Sequence, residues 1–182
     1  AVIVTVWLVV FGFLDKMGLP NLHDVMGVVL GKPLGLLGNN IIGTLFVVAF
    51  NSIFWFLGIH GGNVVNSIMK PIWLANLDAN VAAAKAGEVL QHIITEPFMD
   101  NFVYIGGGGA TIGLVIAIAY YARKKNTSLR TKALAPITLV PGMFNINEPT
   151  MFGLPIVLNL LLIAPFIIAP MLNALVAYFA MK

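Results

Sequence analysis

Pro136 to Asn159 reads PITLVPGMFNINEPTMFGLPIVLN, and it carries a carboxylate, Glu148, and four prolines inside an otherwise strongly apolar run. A plain membrane-spanning helix accommodates neither. A charged side chain at bilayer depth is expensive, so it faces a cavity or the interior of a bundle and marks a functional site. Pro141-Gly142 and Pro149 are expected to break the helical ladder, while Asn145 and Asn147 set amide donors and acceptors beside the acid. Non-helical backbone at that depth is tolerated only where protein or water covers it. The stretch over about 133–158 therefore reads as a re-entrant hairpin whose tip, Phe144 to Pro149, presents polar groups to a solute. The competing reading is a Pro-rich loop outside the membrane with Glu148 solvated; flanks that stay apolar on both sides weigh against it.

Composition supports a membrane setting. Of the 182 residues, 59% are hydrophobic and 9% charged, with a mean hydropathy of +0.95, whereas ordinary globular chains are about 25% charged. The chain is therefore expected to be an integral membrane protein. A net charge of +3 and a pI near 9.3 raise the question of nucleic acid, but five of the ten basic residues crowd between Arg123 and Lys132 beside a long apolar run. That is the positive-inside pattern; it places this loop in the cytoplasm and gives no nucleic-acid partner. The absence of cysteine excludes a disulfide framework, a Cys-based metal site and a cysteine nucleophile in this chain. No zincin helix, phosphate-binding Gly-Lys-Ser loop or dedicated cation site is visible either, so no cofactor is expected. The chain opens AVIVTVWLVVFGFL, with no Met, basic flank or small-residue cleavage site. This start reads as a helix cut short rather than as a signal peptide.

The predicted fold class is an all-α integral membrane protein: several transmembrane helices, two re-entrant hairpins near 58–75 and 133–158, and interfacial amphipathic helices. Residues 1–40 form a truncated helix plus an interfacial segment, and 41–182 a substrate-binding transport domain. In Asp15 to Asn40, charges alternate with Val, Leu and Met, which suits short helices lying at the interface. There His23 beside Asp24 reads as an exposed pair in preference to a proton relay. Ile41 to Leu57 approaches spanning length and ends in Trp55-Phe56-Leu57-Gly58-Ile59-His60-Gly61-Gly62-Asn63, an ionisable ring bracketed by three glycines. Glycine permits the sharp turn of a re-entrant tip and close approach of a ligand, so His60 and Asn63 become candidates. Val64 to Leu74 is expected to return as a half-helix interrupted by Pro71, and Asn76 to Gln91 to lie in a solvent-exposed loop or short helix.

Thr95-Glu96-Pro97 echoes Asn147-Glu148-Pro149, and matched Pro-interrupted elements point toward a transporter's binding site. Glu96 also suits the plainer role of a helix-start acid at the water interface. Phe102 to Ala122 is 21 residues without a charge and is expected to be the clearest spanning helix. Within it, Gly106 to Gly109, Gly107 included, either pack tightly on a neighbouring helix or leave backbone groups open to a solute. Ile156 to Met181, with Pro165 and Pro170, is a final long helix that can kink. Three polar sets then share a customer: His60 with Asn63, Glu96 with Asp100 and Asn101, and Asn145 and Asn147 with Glu148. A neutral, hydroxyl-rich solute fits them, with Trp55, Phe144 and Phe152 offering faces to pyranose C–H surfaces.

FNINEPTMFGLPIVLN, WFLGIHGGNVV, TEPFMDNFVYIGGGGATIGL and the basic loop at 123–132 together resemble the enzyme IIC component of the bacterial phosphoenolpyruvate-dependent phosphotransferase system, in its lactose/cellobiose/diacetylchitobiose family. The resemblance covers most of the chain from about Ile41 onward and implies a C-terminal fragment. It further implies a multi-pass protein of the bacterial cytoplasmic membrane, in contact with lipid, that binds a disaccharide and carries it inward as it is phosphorylated. The phosphoryl group would come from a phosphocysteine on a separate IIB partner, charged by IIA and HPr. By the family pattern Glu148 and His60 are the catalytic candidates; Asn147, with Asn145, Trp55, Asn63, Gly107 and Glu96, is expected to bind substrate. The dimer-forming portion of the family is expected outside this chain. The alternative is an ion-coupled secondary transporter, with Glu148 or His60 coupling protons and no group transfer.

Overall fold

A computed structural model describes residues 2–16, 35 and 37–182, and every regular element among them is helical. The elements are α1 (Val2–Lys16), α2 (Ile41–Phe56), α3 (Gly61–Ala86), a short α4 (Glu96–Phe98) that continues into a π-helical turn (Met99–Val103), α5 (Ile112–Ala122), α6 (Leu129–Met143), α7 (Glu148–Gly153) and α8 (Leu160–Ala180). Most of the expected interfacial segment, His23 and Asp24 with it, lies outside the described residues.

Local chemistry sets the boundaries. The Asn40 side chain accepts the Gly43 N–H at 2.8 Å and starts α2; Ser128 accepts from Thr131 at 3.2 Å and starts α6. Gly87, at φ 73°, closes α3 in the left-handed conformation. Between α2 and α3 the chain turns within residues 57–60, so the two helices form a hairpin.

Here the structure corrects the expected half-helix at 64–74. α3 runs unbroken for 26 residues through Pro71 and on to Ala86. Proline removes one helical hydrogen bond, but Val65, Met69, Trp73 and Asn76 fall on one buried face whose packing holds the helix. The alanines at 82, 83, 84 and 86, strong helix formers, carry it to residue 86, well into the stretch expected as a solvent-exposed loop or short helix.

The expected spanning helix at 102–122 is not one either. The π-helical turn ends at Val103, residues 104–111 form an irregular loop, and α5 is only 11 residues long. Gly106, Gly107 and Gly109 stand at φ 86°, 91° and 80° and Ala110 at 51°, a backbone no right-handed helix contains. By length and composition α8, with 21 residues, is the one described helix apolar enough to cross a membrane; α2 and α5 are apolar but shorter.

Two buried clusters join these pieces. Val48 and Val47 of α2, Val65, Met69 and Trp73 of α3, Phe98 and Met99 before the glycine loop and Ala174 of α8 form the larger. Trp55, Met151, Ile156 and Phe166 form the smaller, tying the end of α2 to α7 and α8. α5 lies along α6 at close quarters: a Cβ added to Gly142 would stand 3.1 Å from the Val115 side chain.

Around Glu148 the chain reverses, but Pro141-Gly142 do not break the helical ladder as expected. Both residues lie inside α6, which ends at Met143, and the turn follows over 144–147. Pro149 falls in the first turn of α7, where its missing N–H costs nothing, so it starts a helix instead of breaking one. α7 then runs back beside α6: a Cβ on Gly153 would stand 2.5 Å from the Leu134 side chain, and Arg130 Nη2 donates to Gly153 O at 2.6 Å.

Candidate functional site

A cavity of about 370 Å³ opens where the α2–α3 turn, the glycine loop and the α6–α7 turn converge. Each wall has a distinct origin. α2 and the turn after it bring Asn51, Trp55 and His60, and the first turns of α3 bring Gly62 and Asn66. The π-helical turn and glycine loop supply Asp100, Tyr104, Gly107 and Gly108, and the α6–α7 turn supplies Phe144, Asn145, Asn147 and Glu148.

Two residues distant in sequence meet here: His60 Nε2 lies 3.4 Å from Glu148 Oε1, with both side chains less than half exposed. The Trp55 ring, itself buried, stacks obliquely on the imidazole at 4.3 Å between centroids. The His60 Nδ1 is occupied by the Asn63 N–H at 3.0 Å.

The glycine loop is held to the α6–α7 turn by amides. Asn145 Oδ1 accepts the Gly106 N–H at 2.7 Å, its Nδ2 donates to Asp100 O at 2.9 Å, and Asn147 Nδ2 donates to Gly108 O at 2.7 Å. Asn145 itself sits at φ 62°, a conformation asparagine tolerates better than most residues. The glycines make this contact possible. A Cβ on Gly107 would come within 2.7 Å of Asn145 O, while one on Gly108 would collide with the Trp55 indole and one on Gly109 with the Phe166 ring. Of the two readings of the run, tight packing is what the geometry shows, while Gly107 and Gly108 also line the cavity.

Of the residues expected from sequence, Glu148, His60, Asn145, Asn147, Trp55, Gly107 and Phe144 therefore share one cavity. Four others lie apart. Asn63 contributes its backbone to His60 while its side chain is exposed outside the cavity lining. Glu96 begins α4 and pairs with Lys70 of α3. Phe152 is on the exposed face of α7. Asn101 is likewise absent from the lining, whereas its neighbour Asp100 is part of it.

Sequence reading missed Asn51, Asn66 and Tyr104 as site residues. A buried amide in the apolar α2 was the available signal for Asn51. Asn51 Oδ1 and the Tyr104 hydroxyl are buried without a hydrogen-bond partner in the protein, so this wall holds polar capacity the fold leaves unused. Among the described residues no group of three or more His, Cys, Asp or Glu side chains is placed to hold a metal ion.

The cavity size suits a small organic ligand. Its lining joins one acid–histidine pair and several amides to aromatic faces, a set that matches a polyhydroxylated solute better than an ion. A strongly apolar helical chain, with a polar cavity walled by interrupted helices, belongs in class with membrane transport proteins.

The family is specific. The phosphotransferase system EIIC family model matches residues 1–170, and the chain belongs to that family of membrane proteins. It is 43% identical over 162 residues to a lichenan permease IIC component of Bacillus subtilis (strain 168), covering 89% of this chain and 35% of that protein. Against a cellobiose-specific EIIC component of Geobacillus stearothermophilus it is 39% identical over 164 residues, covering 89% and 35%. A lactose-specific EIICB component of Staphylococcus aureus is 35% identical over 142 residues, covering 78% and 24%. Among solved structures, the transporter ChbC, the IIC component of an N,N'-diacetylchitobiose-specific phosphotransferase system, superposes with a TM-score of 0.77 at 39% identity, covering 99% of this chain and 41% of that one. The chain thus spans about a third of the length of the curated relatives it matches.

Proposed function

We propose that this cavity holds a disaccharide, and that the protein carrying it moves the sugar across the bacterial cytoplasmic membrane, as a multi-pass component, while a cytoplasmic IIB partner phosphorylates it. The observation that carries the reading is the His60–Glu148 pair, 3.4 Å apart in a wall otherwise made of amides, a tryptophan and glycine backbone. The specificities in the names of the relatives, for cellobiose and lactose, support a disaccharide, and the EIICB relative joins a B component to the same kind of chain.

In this reading Glu148 accepts the proton of the sugar 6-hydroxyl as its oxygen attacks the phosphorus of the IIB phosphocysteine. The O–P bond forms, the P–S bond breaks, and the thiolate leaves with IIB. His60 holds the same hydroxyl or its neighbour. Catalytic contacts are often long before substrate binds, so a 3.4 Å separation is compatible with a hydroxyl placed between the two groups. Trp55 and Phe144 flank the ring faces, and Asn147 with Asn145 fixes the turn that presents Glu148. The α6–α7 hairpin enters the membrane from the cytoplasmic side in this arrangement, with IIA and HPr acting upstream of IIB and a homodimer formed through segments beyond this chain.

Glu148→Gln in the full-length protein tests the role of the acid. Replacing carboxylate by amide keeps size and hydrogen bonding but removes the base, so phosphosugar formation is expected to fall by about a hundredfold or more with expression and sugar binding retained. Phosphorylation at the parental rate would contradict the assignment.

A further inference from the structure

The Gly-Gly-Asn sequence after His60 stands out as a close-approach or turn device, yet the structure gives it another use. His60 is the N-cap of α3: its Nδ1 accepts the Asn63 N–H at 3.0 Å, a donor shared with the carbonyl oxygen of His60 itself at 3.1 Å. A backbone N–H can only donate, so Nδ1 must carry a lone pair, and the ring proton of the neutral imidazole must sit on Nε2. The ring is also confined by Trp55 against its face. Histidine is an unusual choice for a cap, a position where Ser, Thr, Asp and Asn are favoured. Its extra reach is what carries Nε2 to Glu148 Oε1.

We infer that the first turn of α3 is a tautomer clamp: the Asn63 N–H locks His60 as an Nε2–H donor aimed into the cavity. The clamp's place in the chemistry rests on the sugar-phosphorylation reading above. His60 then cannot accept the hydroxyl proton. It donates to the hydroxyl oxygen or to Glu148, and proton acceptance falls to Glu148 alone. Asn63 acts here as a positioning residue through its backbone, which explains why its exposed side chain plays no part in the cavity.

Nitrogen-15 NMR of histidine-labelled full-length protein in nanodiscs, without sugar or partner, reads the tautomer directly, with His60 assigned by loss of its signals in His60→Asn. A bare Nδ1 and a protonated Nε2 are expected. A protonated Nδ1 would overturn the clamp whatever the protein transports, and failure of transport would leave the NMR result intact, so the two ideas fail separately. Asn63→Pro deletes the donor in the first turn of α3, where the N–H has no partner four residues back within the helix. It should give a mixture of tautomers and lower the phosphorylation rate about tenfold with little change in the sugar concentration for half-maximal rate. An unchanged tautomer in that variant would contradict the mechanism. Should Asn63→Pro fail to fold, stability supplies the second measurement. His60→Asn retains a side-chain oxygen for the cap and should keep the parental melting temperature, whereas His60→Ala should lower it; equal melting for the two would remove the cap from the account.

Discussion

Gly109 has the least room of the four glycines in the loop. At φ 80°, with its Cβ position overlapping the Phe166 ring, alanine there meets backbone strain and a collision together. Gly109→Ala should destabilise the protein by about 3 kcal/mol, read as a lower melting temperature in detergent. Gly113, four residues on and inside α5, has nothing within 4 Å of its Cβ position. Gly113→Ala should be neutral or stabilising by about 0.5 kcal/mol. If the two alanines behaved alike, the glycine run would owe its role to composition rather than to this packing. At this scale the sequence exposed residues whose chemistry conflicts with their surroundings. Glu148 and His60 stood out because an ionisable group inside an apolar run demands a reason. Asn51 and Tyr104 did not, since a lone amide or phenol in a hydrophobic stretch has many ordinary uses and only the fold brings them to the same wall.

The elements tell a different story, because local signals competed with tertiary packing. Pro71 reads as a break and is not one; a face of Val65, Met69 and Trp73 seated in the core outweighs one missing hydrogen bond. The chargeless run from Phe102 reads as a helix and is interrupted, because four consecutive glycines remove the side chains that would favour helical backbone. Hydropathy registers apolarity and is blind to φ. The turn between α6 and α7 depends on Asn145, which bonds Gly106 N and Asp100 O from a left-handed backbone. Asn145→Ala loses both bonds and strains the turn, at about 2 kcal/mol. Asn145→Gly loses the bonds but relaxes the backbone, so it should cost about 1 kcal/mol less than alanine. Thermal unfolding of the two variants orders them, and an alanine variant as stable as glycine would show that the φ 62° conformation is not maintained.

For the whole molecule, composition alone indicated a membrane protein, and the family match agrees. In the proposed orientation the basic loop between α5 and α6 faces the cytoplasm; in it Lys124 lies over the Tyr120 and Tyr121 rings and Lys132 donates to Lys125 O. Because the chain has no cysteine, Thr127→Cys offers a single label in that loop, provided any cysteines elsewhere in the full-length protein are removed. An impermeant maleimide should modify it in inside-out vesicles and not in intact cells; labelling from the outside would invert the topology. The most direct test of the central claim reconstitutes the full-length protein in vesicles with purified phosphorylated IIB and offers labelled cellobiose, lactose or diacetylchitobiose. Appearance of one of them on the IIB side as its phosphosugar, dependent on IIB phosphorylation, is the predicted result. Accumulation of unmodified sugar driven by a proton or sodium gradient would contradict it and assign Glu148 and His60 to ion coupling.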